Sequence, residues 1–367
     1  MIHSTKKKLQ LLFKKVTYNL FKLIYGNISE FEDLGTNNNS QIYSSLIDEN
    51  EYRVFQVSQP RLYTDTVGDC AIIQNKKVLI GPSYQIRDTK FEKIEKNIVF
   101  TKGTPRVKKK LKGTILSLLT GGGGNYNYWH WLFDVLPRIK IYHNIKKLNE
   151  IDYFLFPNLS KKFQKETIDL LNIPIKKCVS SFEFRHFECD KIIVTDHPYV
   201  FKNDATSSIQ NLPMWIIKWL KESLSKNISL KDENFPEKIY IDRGDASPNV
   251  SSRRRILNEA DVKKVVVSKG YKVLQLSDYK FTDQIKLFFN AKKITGLHGA
   301  GFANVIFNDS KLKMLELKPS GAGKMCENLA RKCKIQYECI SVKPEIHNEN
   351  NQMGNIYINL DELERKL

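Results

Sequence analysis

The chain of 367 residues lacks most of the short signatures by which enzymes announce themselves. It has no apolar run of the ~18 residues a membrane-spanning helix needs, so no transmembrane helix is expected. There is no G-x-G-x-x-G with a following acidic residue, which disfavours a Rossmann-type dinucleotide cofactor. "SGAGKM" resembles part of a phosphate loop but lacks the G-x-x-x-x-G-K-[ST] spacing. H-E-x-x-H, D-x-D and G-x-S-x-G are absent too, removing the usual sequence marks of zinc peptidases, acidic metal sites and serine hydrolases. None of the six cysteines (Cys70, Cys178, Cys189, Cys326, Cys333, Cys339) stands in a C-x-x-C pair. They read as reduced, packing cysteines of a cytosolic protein.

Acid is short relative to base. The 40 Asp and Glu face 59 Lys and Arg, for a formal net charge of +19. That balance favours anionic partners: nucleic acid, acidic membrane or phosphorylated small molecules. Lysine is spread along the chain, without zinc-finger spacing or an aromatic-and-basic RNA signature. A generally basic surface is expected rather than a nucleic-acid groove. With 41% hydrophobic and 27% charged residues, the chain is globular and long enough for two ordinary domains.

The N-terminal stretch "KKKLQLLFKKVTYNLFKLIYG" places Leu9, Leu12, Phe13, Val16, Leu20, Leu23 and Ile24 at helical spacing. Lys6, Lys7, Lys8, Lys14, Lys15 and Lys22 supply its polar side. Such a helix either lies in the headgroups of an anionic bilayer or packs on the protein body. Lys14 and Lys15 break the apolar run, so a secretory signal is not expected.

Beyond it, "EYRVFQV", "CAIIQNKKVLIGP" and "KNIVF" read as strands. Helix-like and strand-like segments then alternate, most regularly after residue 236. This alternation predicts α/β architecture: two Rossmann-like βαβ domains facing a cleft, joined near residues 210–236.

Three stretches carry candidate chemistry. In "ITGLHGAGFANVIF" a buried strand runs into His298-Gly299-Ala300-Gly301 and then a helix, with Asn304 about one turn on. Ligands bind at the carboxyl ends of parallel strands, and a helix N-terminus there suits a phosphate. His298 is expected to donate to a phosphate oxygen, with the glycines admitting close approach. In "IYIDRGDASPNVSSRRRILNE" Arg243 leaves a strand, and Arg253, Arg254 and Arg255 open a predicted helix. Their forks fit phosphate, and Glu259 is the other possible partner. The bland alternative is a solvated basic loop. In "TGGGGNYNYWHWLFDVLPRI" the spacing predicts a helix ending near Pro137, with His130 and Asp134 on one face. A carboxylate beside a histidine in an apolar wall can serve as a base toward a hydroxyl, or brace the core.

Taken in order, "NYWHWLFDVLPRI", "IYIDRGDAS…RRRILNE" and "DQIKLFFNAKKITGLHGAGFANVIF" with "MLELKP" resemble glycosyltransferase family 61 over roughly residues 120–320. The resemblance implies a GT-B-type fold and an inverting transfer from a nucleotide sugar, a UDP-sugar, without a required metal or other cofactor. It implies that Arg243, one of Arg254 or Arg255, His298 and the Gly299–Ala300–Gly301 turn meet the diphosphate. Glu259, Asn304 and Glu316 would support the donor pocket, with Glu316 a candidate for the ribose hydroxyls. Asp134 and His130 would line the acceptor side, Asp134 as base and His130 orienting, or the reverse. One departure is Gly244 after Arg243, where many members carry a second basic residue; Arg253 is the compensating candidate.

The expected organisation is a basic amphipathic helix over 1–30 and an acceptor-side α/β domain over 50–210. A nucleotide-sugar-binding Rossmann-like domain over 236–345 and a tail over 346–367 returning to the body follow. The partners are a nucleotide sugar and a glycan or glycolipid acceptor used in surface polysaccharide synthesis, with no nucleic acid. Location is cytoplasmic, peripheral on the inner face of the membrane through residues 1–25. The competing reading is a non-catalytic binder of nucleic acid or anionic glycan.

Overall fold

The computed structural model describes residues 2–66, 68–87, 90–122, 124, 126–201, 204–232, 234–245, 254–309, 311–344 and 354–367. Arg253 and Gly123 of the candidate stretches lie outside them. Internal packing divides the chain into two units. One comprises Met1–Lys161 with Ile173–Ala205, the other Lys162–Asn172 with Thr206–Leu367.

The second unit is built on a five-stranded, all-parallel sheet ordered Lys272–Gln275, Lys238–Asp242, Lys293–Leu297, Lys313–Pro319, Gln336–Val342. Counted along the chain from Lys238–Asp242, that is the order 2-1-3-4-5 of an open doubly wound sheet. Central strands such as "KITGL" are covered on both faces, which accounts for their nearly unbroken apolar character. Helices Glu259–Ser268, Phe281–Asn290 and Met325–Lys332 alternate with the strands. Tyr240, Val262, Val266, Leu315, Leu317 and Ile340 form a core with Ile356, Ile358 and Leu363. Leu363 comes from the closing helix Leu360–Lys366, whose N-cap Asn359 accepts from Glu362 N at 2.9 Å.

The first unit carries a ten-stranded mixed sheet. Lys109–Ser117 runs parallel to both Tyr153–Phe156 and His186–Thr195, and Cys178–Ser180 parallel to Tyr153–Phe156. Ser40–Ile47, Asn50–Ser58, Arg61–Thr64 and Cys70–Gln74 join through antiparallel ladders. The βαβ pattern expected of this half therefore describes only part of its sheet.

Local readings change at five places. "KNIVF" is no strand: Asn97 accepts from Val99 N and starts the short helix Ile98–Lys102. Thr282, of a residue type that caps helices well, lies inside Phe281–Asn290 and not at its N-cap, and Glu166 Oε2 accepts from Phe281 N at 2.9 Å. Arg254 and Arg255 do not open a helix. Ile256 pairs with Ile356 as a parallel bridge, which keeps the chain extended, and the helix begins at Glu259. "GAGFANVIF" folds as a 3₁₀ run, Ala300–Phe307, not an α-helix, so the full α-helical dipole expected behind His298 is lacking. Finally, the chain does not stop at Pro137. A π-helical turn over Trp131–Val135, with Leu136 N bonded to Trp131 O at 3.2 Å, leads into helix Pro137–His143. Proline has no N–H to lose at the first position of a new helical segment.

Candidate active site

In the first unit, Asn127 caps the helical entry by accepting from Trp129 N at 2.9 Å, and His130 and Asp134 follow. His130 Nδ1 lies 2.7 Å from Asp134 Oδ2. Tyr199 OH donates to Asp134 Oδ1 at 2.6 Å, so both carboxylate oxygens are engaged. His197 Nε2 stands 3.9 Å from Oδ2. Its Nδ1 accepts from the backbone N–H of Tyr199 and Val200, which leaves the ring proton on Nε2, toward the carboxylate.

Electrostatics separates the roles. Burial works against charge on Asp134, but the neighbouring His130, then His197 and the Tyr199 hydroxyl, hold its carboxyl below the usual range. Burial likewise opposes the His130 imidazolium, yet the Asp134 charge and hydrogen bond outweigh it and raise its pKa. Burial pushes His197 down to about 3, so it stays neutral. Asp134 is sealed, its side chain 5% exposed, while that of His130 keeps 31%. An anchored carboxylate behind an accessible imidazole makes Nε2 of His130 the nitrogen open to a hydroxyl.

Arg138 underpins this cluster. It is fully buried, donates from Nε to Asp134 O and from Nη1 to Thr195 O, and sits over the Tyr84 ring at 5.3 Å. Gly121, at φ 69°, passes so close to Tyr84 that a Cβ would lie 2.9 Å from its ring. Gly124, at φ 96°, does the same against Val135 of the π turn. Both positions need glycine for conformation and for space. Gly121 and Gly124 are thus packing positions beside the His130 cluster.

In the second unit, Arg243 leaves strand Lys238–Asp242 and His298 leaves the adjacent Lys293–Leu297. Between these strands the sheet order reverses, which is where open α/β sheets bind ligands. Arg243 Nη1 donates to His298 O at 2.6 Å. A Cβ on Gly299 would stand 2.9 Å from that same Nη1, so this glycine makes room for the guanidinium. Gly301 packs against Leu276 and Ile241, with Ala300 between the two glycines at the start of the 3₁₀ run.

Of the two arginines that are alternatives for the diphosphate beside Arg243, Arg254 faces inward and Arg255 is exposed. Burial, then the charge of Arg243, pushes the Arg254 pKa down to about 10. Two cations held together in a low-dielectric setting favour an anion beside them.

His298 is completely buried; its Nδ1 lies 2.5 Å from Glu316 Oε1, and Tyr337 OH donates to Glu316 Oε2 at 2.5 Å. Glu316 therefore has both oxygens engaged and orients His298. Burial, ahead of the opposing pull of Glu316, lowers the His298 pKa and keeps the ring neutral. With its proton on Nδ1, Nε2 offers a lone pair, and it has no hydrogen-bond partner among the described residues. The expected donation from His298 to phosphate would require taking up a proton.

Asn304 takes other partners, while Glu259 stays within electrostatic reach of Arg243. Asn304 is buried and donates to Gln284 Oε1 at 3.1 Å, bracing the 3₁₀ run against helix Phe281–Asn290. Glu259 accepts from Tyr240 OH at 3.2 Å and lies 3.7 Å from Lys263 Nζ. His298, Glu316 and Cys326 are the one group among the described residues whose side-chain atoms converge as metal ligands would, within 4.8 Å. Their bonding opposes a cation: the imidazole is hydrogen-bonded to the carboxylate, and burial then Glu316 raises the Cys326 thiol well above its ordinary value.

The family model for glycosyltransferase 61 matches residues 128–315, just over half of the chain. The chain belongs to glycosyltransferase family 61. The match opens two residues before His130 and closes one residue before Glu316, so it takes in His130, Asp134, His197, Tyr199, Arg243, Arg254 and His298 but not Glu316, Cys326 or Tyr337. A glycosyltransferase uses a nucleotide sugar and an acceptor, and the protein is such an enzyme. The competing reading as a binder without catalysis is thereby disfavoured. A comparison with curated proteins finds no match. No described helix of this transferase is long and apolar enough to cross a membrane.

Several participants escaped sequence reasoning: His197, Tyr199 and Arg138 in the first cluster, and Tyr337 and Cys326 in the second. "TDHPYV", a histidine and tyrosine just past a strand end, was the only local hint of the first pair. Tyr337 becomes visible only once the fourth and fifth strands are known to be neighbours.

Proposed function

We propose that this family 61 enzyme is an inverting, metal-independent transferase of GT-B type. It moves a sugar from a nucleotide sugar, a UDP-sugar by family resemblance, to a hydroxyl of a glycan or lipid-linked acceptor in surface polysaccharide synthesis. Nε2 of His130 takes the acceptor proton as the hydroxyl oxygen attacks the anomeric carbon. Asp134, fixed by Tyr199, stabilises the imidazolium that forms. The bond from the anomeric carbon to the diphosphate breaks, and its electron pair leaves with the diphosphate. Arg243 and Arg254 meet that negative charge, which grows in the transition state. His298, neutral and held by Glu316, presents Nε2 as an acceptor to a donor-side hydroxyl or N–H.

The observation that carries this reading is the split within the first cluster. Asp134 has no free oxygen, while the histidine it orients keeps an accessible edge. The deciding experiment pairs His130→Ala with Arg243→Ala. The first should keep nucleotide-sugar binding and lose turnover; the second should lose binding. If His130→Ala turns over normally, the base lies elsewhere.

A further inference from the structure

The N-terminal helix Ile2–Tyr25 has two faces that behave differently. At about 100° per residue, Tyr18, Lys22 and Tyr25 share one side. That side touches the protein: Lys22 Nζ donates to Thr101 O at 3.1 Å, and Lys108 N donates to the Tyr25 hydroxyl at 3.0 Å. The Tyr25 ring meets His186 edge-on at 4.9 Å, while Arg61 Nη1 donates to Tyr25 O. Leu9, Leu12, Phe13, Val16, Leu20 and Leu23 fall roughly half a turn round the helix from these anchors. All six are exposed, Phe13 at 72% and Leu23 at 84%. The helix is thus fastened by its polar, aromatic side, and its apolar stripe points away from the unit that holds it.

Charge identifies what fits the stripe. Residues 1–29 contain no Asp or Glu, and at about 100° per residue Lys14 and Lys15 fall on either side of Tyr18, opposite the apolar stripe. An apolar stripe on a helix that carries lysines and no acid to repel anionic headgroups matches the interface of a negatively charged bilayer. A second protein surface would have to be both apolar and acidic to match it equally.

We propose that the stripe from Leu9 to Leu23 inserts into the surface of an anionic lipid bilayer and holds the enzyme there by its N-terminal helix. The inference stands apart from the sugar chemistry, and its test requires no transfer reaction.

The test is co-sedimentation of the full-length protein with phosphatidylcholine vesicles, with and without about one third phosphatidylglycerol, at low and high salt. Binding is expected to the anionic vesicles alone and to weaken with salt. Lys14→Glu combined with Lys15→Glu should reduce partition by about tenfold or more. Leu12→Asp with Val16→Asp should abolish it. The replaced residues are exposed, so both variants should keep the wild-type melting temperature, which is measured alongside. Equal binding to neutral vesicles, or binding unaffected by either double variant, overturns the proposal. So does concentration-dependent self-association, lost in Leu12→Asp/Val16→Asp, in a protein that ignores both vesicle types.

Discussion

His130 and Asp134 meet at 2.7 Å across one π-helical turn, and the carboxylate has its other oxygen on Tyr199. The pair therefore acts as one unit with a single accessible end, the imidazole. Replacing His130 with Ala should lower kcat by about 10²–10⁴-fold, the usual contribution of a positioned base. Tyr199→Phe frees one oxygen of Asp134 and should reduce kcat less. Isothermal titration with UDP should show unchanged affinity in both variants; a large loss of affinity would mean that the cluster binds the nucleotide instead.

Activity should rise with pH. His130 must be neutral to accept a proton, and Asp134 holds its pKa above the ordinary histidine value. The acidic limb of kcat/KM should then show an apparent value above ~6.5, belonging to the coupled pair. Asp134→Asn removes the charge that raises it, so the limb should move to lower pH while the plateau falls. A limb that stays in place would remove Asp134 from the base's environment.

Stability follows the same two groups with opposite signs. The part contributed by His130 is complete below the unfolded histidine pKa and fades as pH rises through the raised folded value. The part contributed by Asp134 is complete above the unfolded carboxyl value and is lost as pH falls through the lowered folded one. Their pairing is therefore strongest in the window between, and wild type should exceed Asp134→Asn in urea stability there by more than at either extreme. Equal differences at pH 2, 6 and 9 would contradict the linkage.

Much of the second unit was legible because its strands are covered on both sides. "KITGL" and "KMLELKP" are apolar runs set between amphipathic helices, and that alternation admits little but a parallel sheet. His130 and Asp134 were legible because four residues along any helical turn bring side chains together. The choice between them was not, since it depends on Tyr199, 65 residues away. Nor could the sequence separate Arg254 from Arg255. The Ile256–Ile356 bridge decides which one turns inward, and that pairing joins segments 100 residues apart.

Arg243→Ala should weaken UDP binding by about 1.5–3 kcal/mol, or roughly 10- to 150-fold in Kd, as expected for a lost charge-assisted contact. Arg243→Lys should recover little, because the guanidinium must hold His298 O and an anion together. Calorimetry with UDP measures both. Wild-type affinity in Arg243→Ala would displace the diphosphate from the switch point.

Two glycines in one strand-and-turn distinguish the fold from the site. A Cβ on Gly296 would meet Ile241 O at 2.9 Å, a backbone atom of the neighbouring strand that cannot step aside. Gly296→Ala should therefore destabilise the protein by about 1–3 kcal/mol through overpacking. A Cβ on Gly299 would meet only the tip of Arg243, and the φ of 170° there is open to any residue. Gly299→Ala should cost less than ~1 kcal/mol of stability, because the arginine can swing away. It should nonetheless raise the donor KM, since the displaced guanidinium no longer meets the diphosphate. Urea unfolding and donor kinetics on the two variants separate these effects. If Gly299→Ala is kinetically silent, the close approach of Arg243 to residue 299 has no part in binding the donor.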